Sequence, residues 1–285
     1  MTMTPRPAAG FAVDKMTQSA HLDRPTRPGS AQAGATRPGS AQADATRTDG
    51  RPQRVMPLMR KIEVACLGST GNFIDATRLV PAIPVFEDAF AAFARGALFQ
   101  TERGLTAIED LWPGDRVRTV GNGFQTLLWR GSTMIVPQAQ GQDPTMGRLT
   151  RIAADALGIA RPMHDLVLGP RARLAHRASG IRALTGKEIA LIPARDFIDA
   201  NNVIELTPPS AVPVFHLGFA SHERITANGV EVESYHPGPL HAMGLRQDLV
   251  ALYLSCFPHM ADLAAFGLAA LPRLRLNDLD LFNVA

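Results

Sequence analysis

The polar residues best suited to chemistry lie in the second half of the chain. His216, His222 and His236 follow one another closely, Glu223 stands beside His222, and Asp165 lies upstream. Imidazole and carboxylate groups can exchange protons near neutral pH or bind a metal ion. The sequence therefore allows an acid–base or metal cluster in which His222 pairs with Glu223, with His216 and Asp165 as further candidate residues. The competing interpretation, which the spacing favours, is that these are hydrogen-bonded residues of strands and turns.

Motifs for other chemistries are missing from the sequence. No His-Glu-x-x-His pair occurs, and the turn Gly68-Ser69-Thr70-Gly71 lacks the lysine of a phosphate-binding loop. Cys66 and Cys256 lie far apart and belong to no Cys-x-x-Cys motif. We therefore expect neither a disulfide framework nor a thiolate zinc site, and more generally no metal and no cofactor.

Short β-strands must position these side chains. Asn122-Gly123 and Asn228-Gly229 are typical of tight hairpin turns, and Val230–Glu233 alternates apolar with charged residues as a half-buried strand does. The chain contains 24 glycines and 22 prolines, which favours turns and strands over a helical bundle. Hydrophobic residues make up 46% of the chain, which is enough for a core. The sequence predicts an all-β fold.

Two stretches have helical spacing instead. Phe86, Phe90 and Phe93 recur at helical intervals and predict a short helix over Glu87–Arg95, with the three rings in the core. The second stretch predicts a short C-terminal helical extension, including a helix over His259–Phe266. Its apolar positions are Leu245, Leu249, Leu252 and Cys256, and we expect this cysteine to be a buried hydrophobe.

The first 54 residues differ in composition from the rest. The unit Arg27–Thr36 returns almost unchanged at Arg37–Thr46, with few large apolar side chains. This predicts a disordered tail over residues 1–54 that serves as a tether, with an arm for a partner or a nucleic acid as the alternative. The tail has eight Lys or Arg against four Asp or Glu, while the whole chain carries +3. The remainder is near neutral, so we expect no nucleic-acid binding.

These patterns divide the chain into four parts. We expect a tail over 1–54, a lead-in strand and helix over 55–89, a β domain over 90–238 and a helical extension over 239–285. No run of about 18 apolar residues occurs, so no membrane span is predicted. No apolar segment typical of a secretory signal occurs either. A cytoplasmic location is the default expectation, and a signal-independent export route stays open.

Several stretches, in this order, resemble the Hint (hedgehog/intein) family in the form seen in bacterial Hint-domain proteins. The most specific is the turn Leu111-Trp112-Pro113-Gly114-Asp115. The resemblance covers about Phe90 to Gly238 and implies a horseshoe-like disc of paired β-hairpins with pseudo-twofold symmetry. The stretches that carry it are Gly96–Thr101, Ile108–Val117, Asn122–Gly131, Asp165–Pro170, Val214–Leu217 and Glu231–Gly238.

The resemblance also implies a chemistry, which is self-cleavage. In the family a Cys or Ser at the start of the domain attacks the preceding carbonyl, and a downstream His protonates the leaving nitrogen. Those positions fall on Ala92 and Ala172, which carry neither group. His176 lies four residues further, roughly 13 Å along an extended strand.

Two functions remain open from the sequence. The first is a Hint-like module that has lost self-cleavage, is not an enzyme, and serves as a binding or scaffold module for an unidentified partner, with a protein as the candidate class. The alternative is an autoproteolytic processing protein that uses atypical residues. Arg171, Arg173 and Arg177 form a basic group, which we expect to be a solvated strand edge.

Overall fold

The computed structural model describes residues 58–68 and 70–282, and the predicted tail over residues 1–54 lies outside them. The described part consists of short strands with few helices. In chain order these are β1 (Met59–Leu67), β2 (Phe73–Pro81), α1 (Pro84–Glu87), β3 (Phe93–Ala94), β4 (Leu98–Thr101), β5 (Gly104–Ala107), β6 (Arg116–Thr119), β7 (Gly123–Thr126), β8 (Trp129–Ile135), β9 (Leu149–Ile152), β10 (Leu166–Leu168), β11 (Arg173–Arg177), α2 (Ser179–Thr185), β12 (Ile189–Pro193), β13 (Val203–Leu206), β14 (Val212–Gly218), β15 (Arg224–Ala227), β16 (Val230–Glu233) and α3 (Val250–Leu254).

The strands form two antiparallel sheets. The first has the order β13-β9-β10-β3-β14-β8-β1-β2, and the second has the order β12-β11-β16-β15-β4-β6-β7 with β5 paired to β4. The predicted all-β fold class is confirmed. In the first sheet β1 lies between β8 and β2, so the residues upstream of the predicted domain contribute an interior strand.

The hairpin predicted at Asn228-Gly229 is present between β15 and β16. Asn228 and Gly229 have φ values of 48° and 92°, as a type I′ turn requires. The other predicted hairpin joins β6 and β7, but Thr119 pairs with Gly123, so its loop has three residues rather than two. Its positive φ angles fall on Gly121 and Gly123.

The helix predicted over Glu87–Arg95 is wrong. Helix α1 ends at Glu87, and Phe93 and Ala94 form β3, which pairs with β10 and β14. Alanine-rich sequence favours a helix only weakly, and ladder hydrogen bonds with burial on both faces outweigh that preference here. The prediction that the three phenylalanine rings belong to the core is confirmed, because Phe86, Phe90 and Phe93 are all buried.

The C-terminal extension has less helix than its spacing predicts. Its only α-helix among the described residues is α3, and the helix predicted over His259–Phe266 shrinks to a 3-10 turn over Leu263–Phe266. Trp129 on β8 donates its indole N–H to the Cys256 carbonyl at 2.8 Å. Cys256 is fully buried, as predicted.

One apolar cluster joins the extension to the upstream segment. It combines residues of β1 and of the α1 region with Trp129, Tyr235 and the rings of the extension. Tyr235 stacks on Phe257 with ring centroids 5.3 Å apart. Residues before and after the predicted domain therefore share a single core. Across residues 58–68 and 70–282 no helix is long and apolar enough to cross a membrane.

Candidate functional site

The peptide bond between Ala91 and Ala92 lies in a cradle of backbone hydrogen bonds just before β3. The Ala92 N–H donates to the Phe215 carbonyl at 3.1 Å, and the Ala92 carbonyl accepts from the Gly169 N–H at 2.8 Å. The Ala91 carbonyl accepts from the Arg171 N–H at 2.9 Å. The loop between β10 and β11 and the strand β14 thus hold this peptide from two sides.

Gly169 makes the close approach of this loop possible. A Cβ atom at this position would fall 2.3 Å from the Ala91 carbonyl oxygen and 2.8 Å from its carbon. Both neighbours are backbone atoms, which cannot move aside as a flexible side chain can. Only glycine therefore lets the loop touch the Ala91–Ala92 peptide.

Ala92 and Ala172 are both buried, with 1% and 2% of their surface exposed. They belong to the same apolar cluster, which also includes Phe93 and Phe215. The Ala172 N–H donates to the Gly169 carbonyl at 3.2 Å. Two methyl groups stand where the sequence resemblance places a nucleophile and an acid, and neither can take part in proton or acyl transfer.

Neither cysteine replaces the missing nucleophile. Cys66 is buried beside Trp129, in a different apolar cluster from Ala92. Burial raises the pKa of its thiol, with a hydrogen bond from the His259 backbone as the smaller, opposing effect. Burial raises the pKa of Cys256 to about 12. Because the thiolate is the nucleophilic form, both groups are inert at neutral pH.

His216 follows Phe215, whose carbonyl accepts the hydrogen bond from the Ala92 N–H. It is buried on β14 next to Phe215, and its ring packs edge-on against Phe93 at 5.4 Å between centroids. Its Nδ1 accepts from the Leu217 N–H at 3.1 Å. Burial lowers the pKa of His216 to about 3, so the ring is uncharged at neutral pH and has no proton to spare as a strong acid.

His222 belongs to a buried polar cluster on the side of the C-terminal extension. Its Nε2 lies 3.1 Å from Glu233 Oε1, and its Nδ1 accepts from the Ala270 N–H at 3.0 Å. The ring stacks on His236 with centroids 4.8 Å apart. The expected pairing of His222 with Glu223 is therefore wrong, because the Glu223 carboxylate accepts instead from Asn122 Nδ2 at 2.9 Å.

Glu233 is the anion at the centre of this cluster. Arg273 donates to Oε1 from Nε at 2.9 Å and from Nη2 at 2.6 Å, and Arg173 donates to Oε2 at 3.3 Å. Burial alone would raise the pKa of Glu233. Arg273, followed by His222 and Arg173, more than offsets that effect and holds the pKa well below its usual value.

A second buried ion network ties the loop after β10 to the upstream segment. Arg171 reaches Glu87 Oε2 and Asp143 Oδ2, each at 3.2 Å. Arg60 donates to Glu87 Oε1 from Nη2 at 2.7 Å. The prediction that Arg171 and Arg173 form a solvated edge is wrong, because their side chains are only 11% and 19% exposed and both are paired.

Asp165 stands apart from the histidines. Its exposed carboxylate accepts from Arg151 Nε at 2.8 Å and from the Ala154 N–H at 2.9 Å. The hydrogen bonds from Arg151 lower the pKa of Asp165. The structure brings His222 and His236 together, while Asp165 caps a surface loop. Throughout residues 58–68 and 70–282 no three His, Cys, Asp or Glu side chains are arranged to hold a metal ion.

Sequence reasoning missed Glu233, Arg273 and Glu87. Glu233 continues the alternating pattern of β16, which predicts an exposed side chain, yet it is only 2% exposed. Its partner Arg273 is 40 residues away. No local pattern links these residues, so only the three-dimensional fold reveals the pair.

These features define an all-β protein in which the peptide between Ala91 and Ala92 is buried and hydrogen-bonded to the backbone of its neighbours. Residues 91–239 match the Hint domain family, which is more than half of the chain. The chain belongs to the Hint domain family, and the match begins at the cradled peptide. The chain matches none of the curated proteins with which it was compared.

Two solved structures are similar to this chain. One is a splice-inactive, GSH-linked variant of the AceL NrdHF class 3 split intein, with 12% identity, a TM-score of 0.35, and coverage of 51% of this chain and 99% of that chain. The other is a bacterial intein-like domain from Clostridium thermocellum, with 13% identity, a TM-score of 0.33, and coverage of 52% of this chain and 100% of that chain.

Proposed function

We propose that this Hint domain does not cleave itself and serves as a non-catalytic binding or scaffold module. The observation that carries the proposal is the buried methyl group of Ala92 at the cradled peptide. An acyl shift needs a thiol or hydroxyl on the residue that follows the scissile carbonyl. Ala92 has neither, and Ala172 supplies no proton to the leaving nitrogen.

The hydrogen bonds of the cradle support the same conclusion. The Ala91 carbonyl and the Ala92 N–H and carbonyl are each engaged by a backbone partner, at 2.9, 3.1 and 2.8 Å. Such a peptide is held as a β-like structural link. In the loop after β10, Gly169 contacts the peptide through its backbone alone, and the Arg171 side chain binds Glu87. This loop therefore binds the upstream segment instead of activating the bond.

The alternative is self-cleavage by atypical residues, with Cys66 and His216 as the groups available. It is disfavoured because burial raises the pKa of the Cys66 thiol and lowers the pKa of His216 to about 3. A protonated thiol and an uncharged imidazole are poorly suited to the nucleophile and acid roles.

A nucleic-acid partner is disfavoured by the pairing of the arginines. Arg60, Arg171 and Arg273 each bind a buried carboxylate. Guanidinium groups that already neutralise a carboxylate have little charge to offer a phosphate backbone. A protein or small-molecule partner is therefore the better proposal.

Intact mass under denaturing conditions tests the proposal. Denaturation is needed because β1 pairs with β8, so a cut after Ala91 would leave both pieces associated. The purified chain is expected to stay a single species of 30.6 kDa. Two fragments that meet between Ala91 and Ala92 would contradict the proposal.

A further inference from the structure

Strands β11 and β16 part from each other and leave a cleft in the second sheet. The two strands share one residue pair, Leu174 with Val232. On its other side β11 pairs with β12 along five residues, and β16 pairs with β15 along four. Past the Leu174–Val232 pair a cavity of about 360 Å³ opens between the strands.

The cleft has the size and lining of a small-molecule site. Leu157, Leu174, Phe197 and Val230 supply an apolar wall. The ring of His176 packs against Phe197 with centroids 5.3 Å apart. Pockets for small ligands span about 300–1,000 Å³ and are mostly apolar, with few polar groups that fix orientation. An apolar body of moderate size therefore fits this cleft.

The charged groups at the cleft leave an excess of positive charge. Arg161 makes no ion pair and no side-chain hydrogen bond with any described residue, although it lines the cleft. Glu231 is shared by Arg224 at 2.7 Å and Arg177 at 3.5 Å. Burial lowers the pKa of His176, so this ring adds no charge at neutral pH. The cleft is thus lined by two guanidinium groups, of Arg161 and Arg177, and by one carboxylate that is already paired.

We propose that the cleft binds a small amphipathic carboxylate, a molecule with an apolar body and one carboxylate group. The apolar body packs on Leu174, Val230 and Phe197, and the carboxylate binds the guanidinium of Arg161. A guanidinium presents paired donors that match a carboxylate, and such charge-assisted bonds are the stronger ones. The proposal rests on the binding role proposed above, and names the site and ligand class for it.

Other occupants fit the cleft less well. Residues 1–54 carry eight Lys or Arg against four Asp or Glu, so their net charge has the same sign as the excess at the cleft. A neutral apolar molecule would leave Arg161 without its counter-charge. The small carboxylate is the occupant that matches volume, lining and charge together.

The test is an NMR titration of the full chain labelled with ¹⁵N. Octanoate is the probe, and 1-octanol is the matched neutral probe of the same length. We expect octanoate to shift the amide resonances of Ala175, His176 and Val230, with 1-octanol binding at least about tenfold more weakly. Arg161→Gln should weaken octanoate binding about tenfold or more.

Arg118→Gln is the matched control variant. Arg118 also makes no ion pair with a described residue and lines a different cavity, next to Leu105 and Met163. Its replacement should leave octanoate binding within about twofold of the unaltered chain, because it removes one cation without touching the cleft. Ala175→Phe, which fills the cleft, should abolish binding while the dispersed spectrum of a folded chain persists.

Several outcomes would overturn the proposal. They are equal shifts from octanoate and 1-octanol, unchanged binding in Arg161→Gln, and no shift at β11 and β16. Shifts there from an acidic peptide but not from octanoate would reassign the cleft to a protein partner. Self-cleavage is read separately by intact mass, so fragments would refute the proposed function while the titration still decides the cleft.

Discussion

At the scale of single residues, the proposed loss of self-cleavage depends on Ala92 and Ala172. Each is a buried methyl group where a Hint domain that cleaves itself would carry a reactive side chain, according to the resemblance in the sequence. The surrounding backbone is intact, with the loop after β10 bonded to the Ala91–Ala92 peptide. Under the proposed function, this backbone arrangement is kept while the reactive side chains are replaced by methyl groups.

Restoring both side chains should therefore restore some activity. The double variant Ala92→Cys with Ala172→His is expected to give fragments that meet between residues 91 and 92, because it supplies the nucleophile and the acid together. Ala92→Cys alone should stay intact, since the leaving nitrogen then lacks a proton donor. Intact mass after incubation with hydroxylamine, which captures a thioester, measures both variants.

The control moves the cysteine from the residue before β3 into that strand. Ala94→Cys with Ala172→His places a thiol two residues away in β3, also at a buried position. This variant should stay intact. Cleavage in both double variants, or in neither, would show that Ala92 and Ala172 are not the positions that were lost.

At the scale of elements, the loop between β10 and β11 connects the Ala91–Ala92 peptide to the upstream segment. It touches the Ala91–Ala92 peptide through Gly169 and Arg171, and the Arg171 side chain reaches back to Glu87. One loop thereby joins the strand β3 to the helix α1 that precedes it. This contact explains why the upstream segment belongs to the folded unit.

Gly169→Ala tests the closeness of that contact. The added methyl would lie 2.3 Å from the Ala91 carbonyl oxygen, so the backbone must shift. We expect the free energy of unfolding to fall by roughly 1–3 kcal/mol, the usual cost of overpacking a core. Chemical denaturation followed by circular dichroism measures it.

Gly147→Ala is the matched control. Its nearest neighbour would be the flexible Gln142 side chain at 3.1 Å, which can move aside. Gly147 is also buried, but its effect should stay below about 1 kcal/mol because only a flexible side chain has to give way. Equal losses in the two variants would mean that the loop does not press on the Ala91–Ala92 peptide.

At the scale of the whole molecule, three histidines of the described residues are held in uncharged form: His216 and His236 are buried, and His259 is half-buried with both ring nitrogens buried. Burial lowers the pKa of His216 to about 3 and the pKa values of His236 and His259 to about 4, against an ordinary value of 6.5. Between pH 6.5 and about 4, the unfolded chain therefore binds more protons than the native chain. Glu233, whose pKa is also held low, acts in the same direction below its ordinary value of 4.5.

Stability should consequently fall as the pH drops from about 6.5 towards 4. Each histidine contributes up to about 1.4 kcal/mol per pH unit within that window, because folding excludes its proton. Urea denaturation at pH 7, 6 and 5 measures the slope. Stability that is constant or higher at pH 5 than at pH 7 would contradict this account.

His259→Leu isolates one of these contributions. Both ring nitrogens of His259 are buried without a hydrogen-bond partner among the described residues, so the replacement breaks no bond of the ring. The variant should lose about a quarter to a third of the slope between pH 6 and 5 while keeping its stability at pH 7, because His176, whose pKa is also lowered by burial, contributes as well. An unchanged slope would show that His259 does not contribute.

Local features of the fold could be predicted from the sequence. The Asn228-Gly229 turn and the burial of Phe86, Phe90 and Phe93 depend on residues that are close in the chain. The strand β3 could not be predicted, because the alanine-rich sequence around Phe93-Ala94 has helical composition, and these two residues become a strand only through partners in β10 and β14.

The candidate site was only partly predictable for the same physical reason. The positions of Ala92 and Ala172 follow from the family resemblance. The partner of His222 did not, because Glu233 is held in place by Arg273 from the C-terminal extension. Ion pairs between distant segments depend on the folded arrangement and leave no periodic pattern in the sequence.

Under the proposed function, the Ala91–Ala92 peptide bond stays intact. The most direct measurement is the intact mass of the full chain after prolonged incubation with a thiol, which captures a thioester by exchange, followed by denaturation. We expect a single species of 30.6 kDa, identical to the untreated chain. A fragment that ends at Ala91, or one that begins at Ala92, would contradict it.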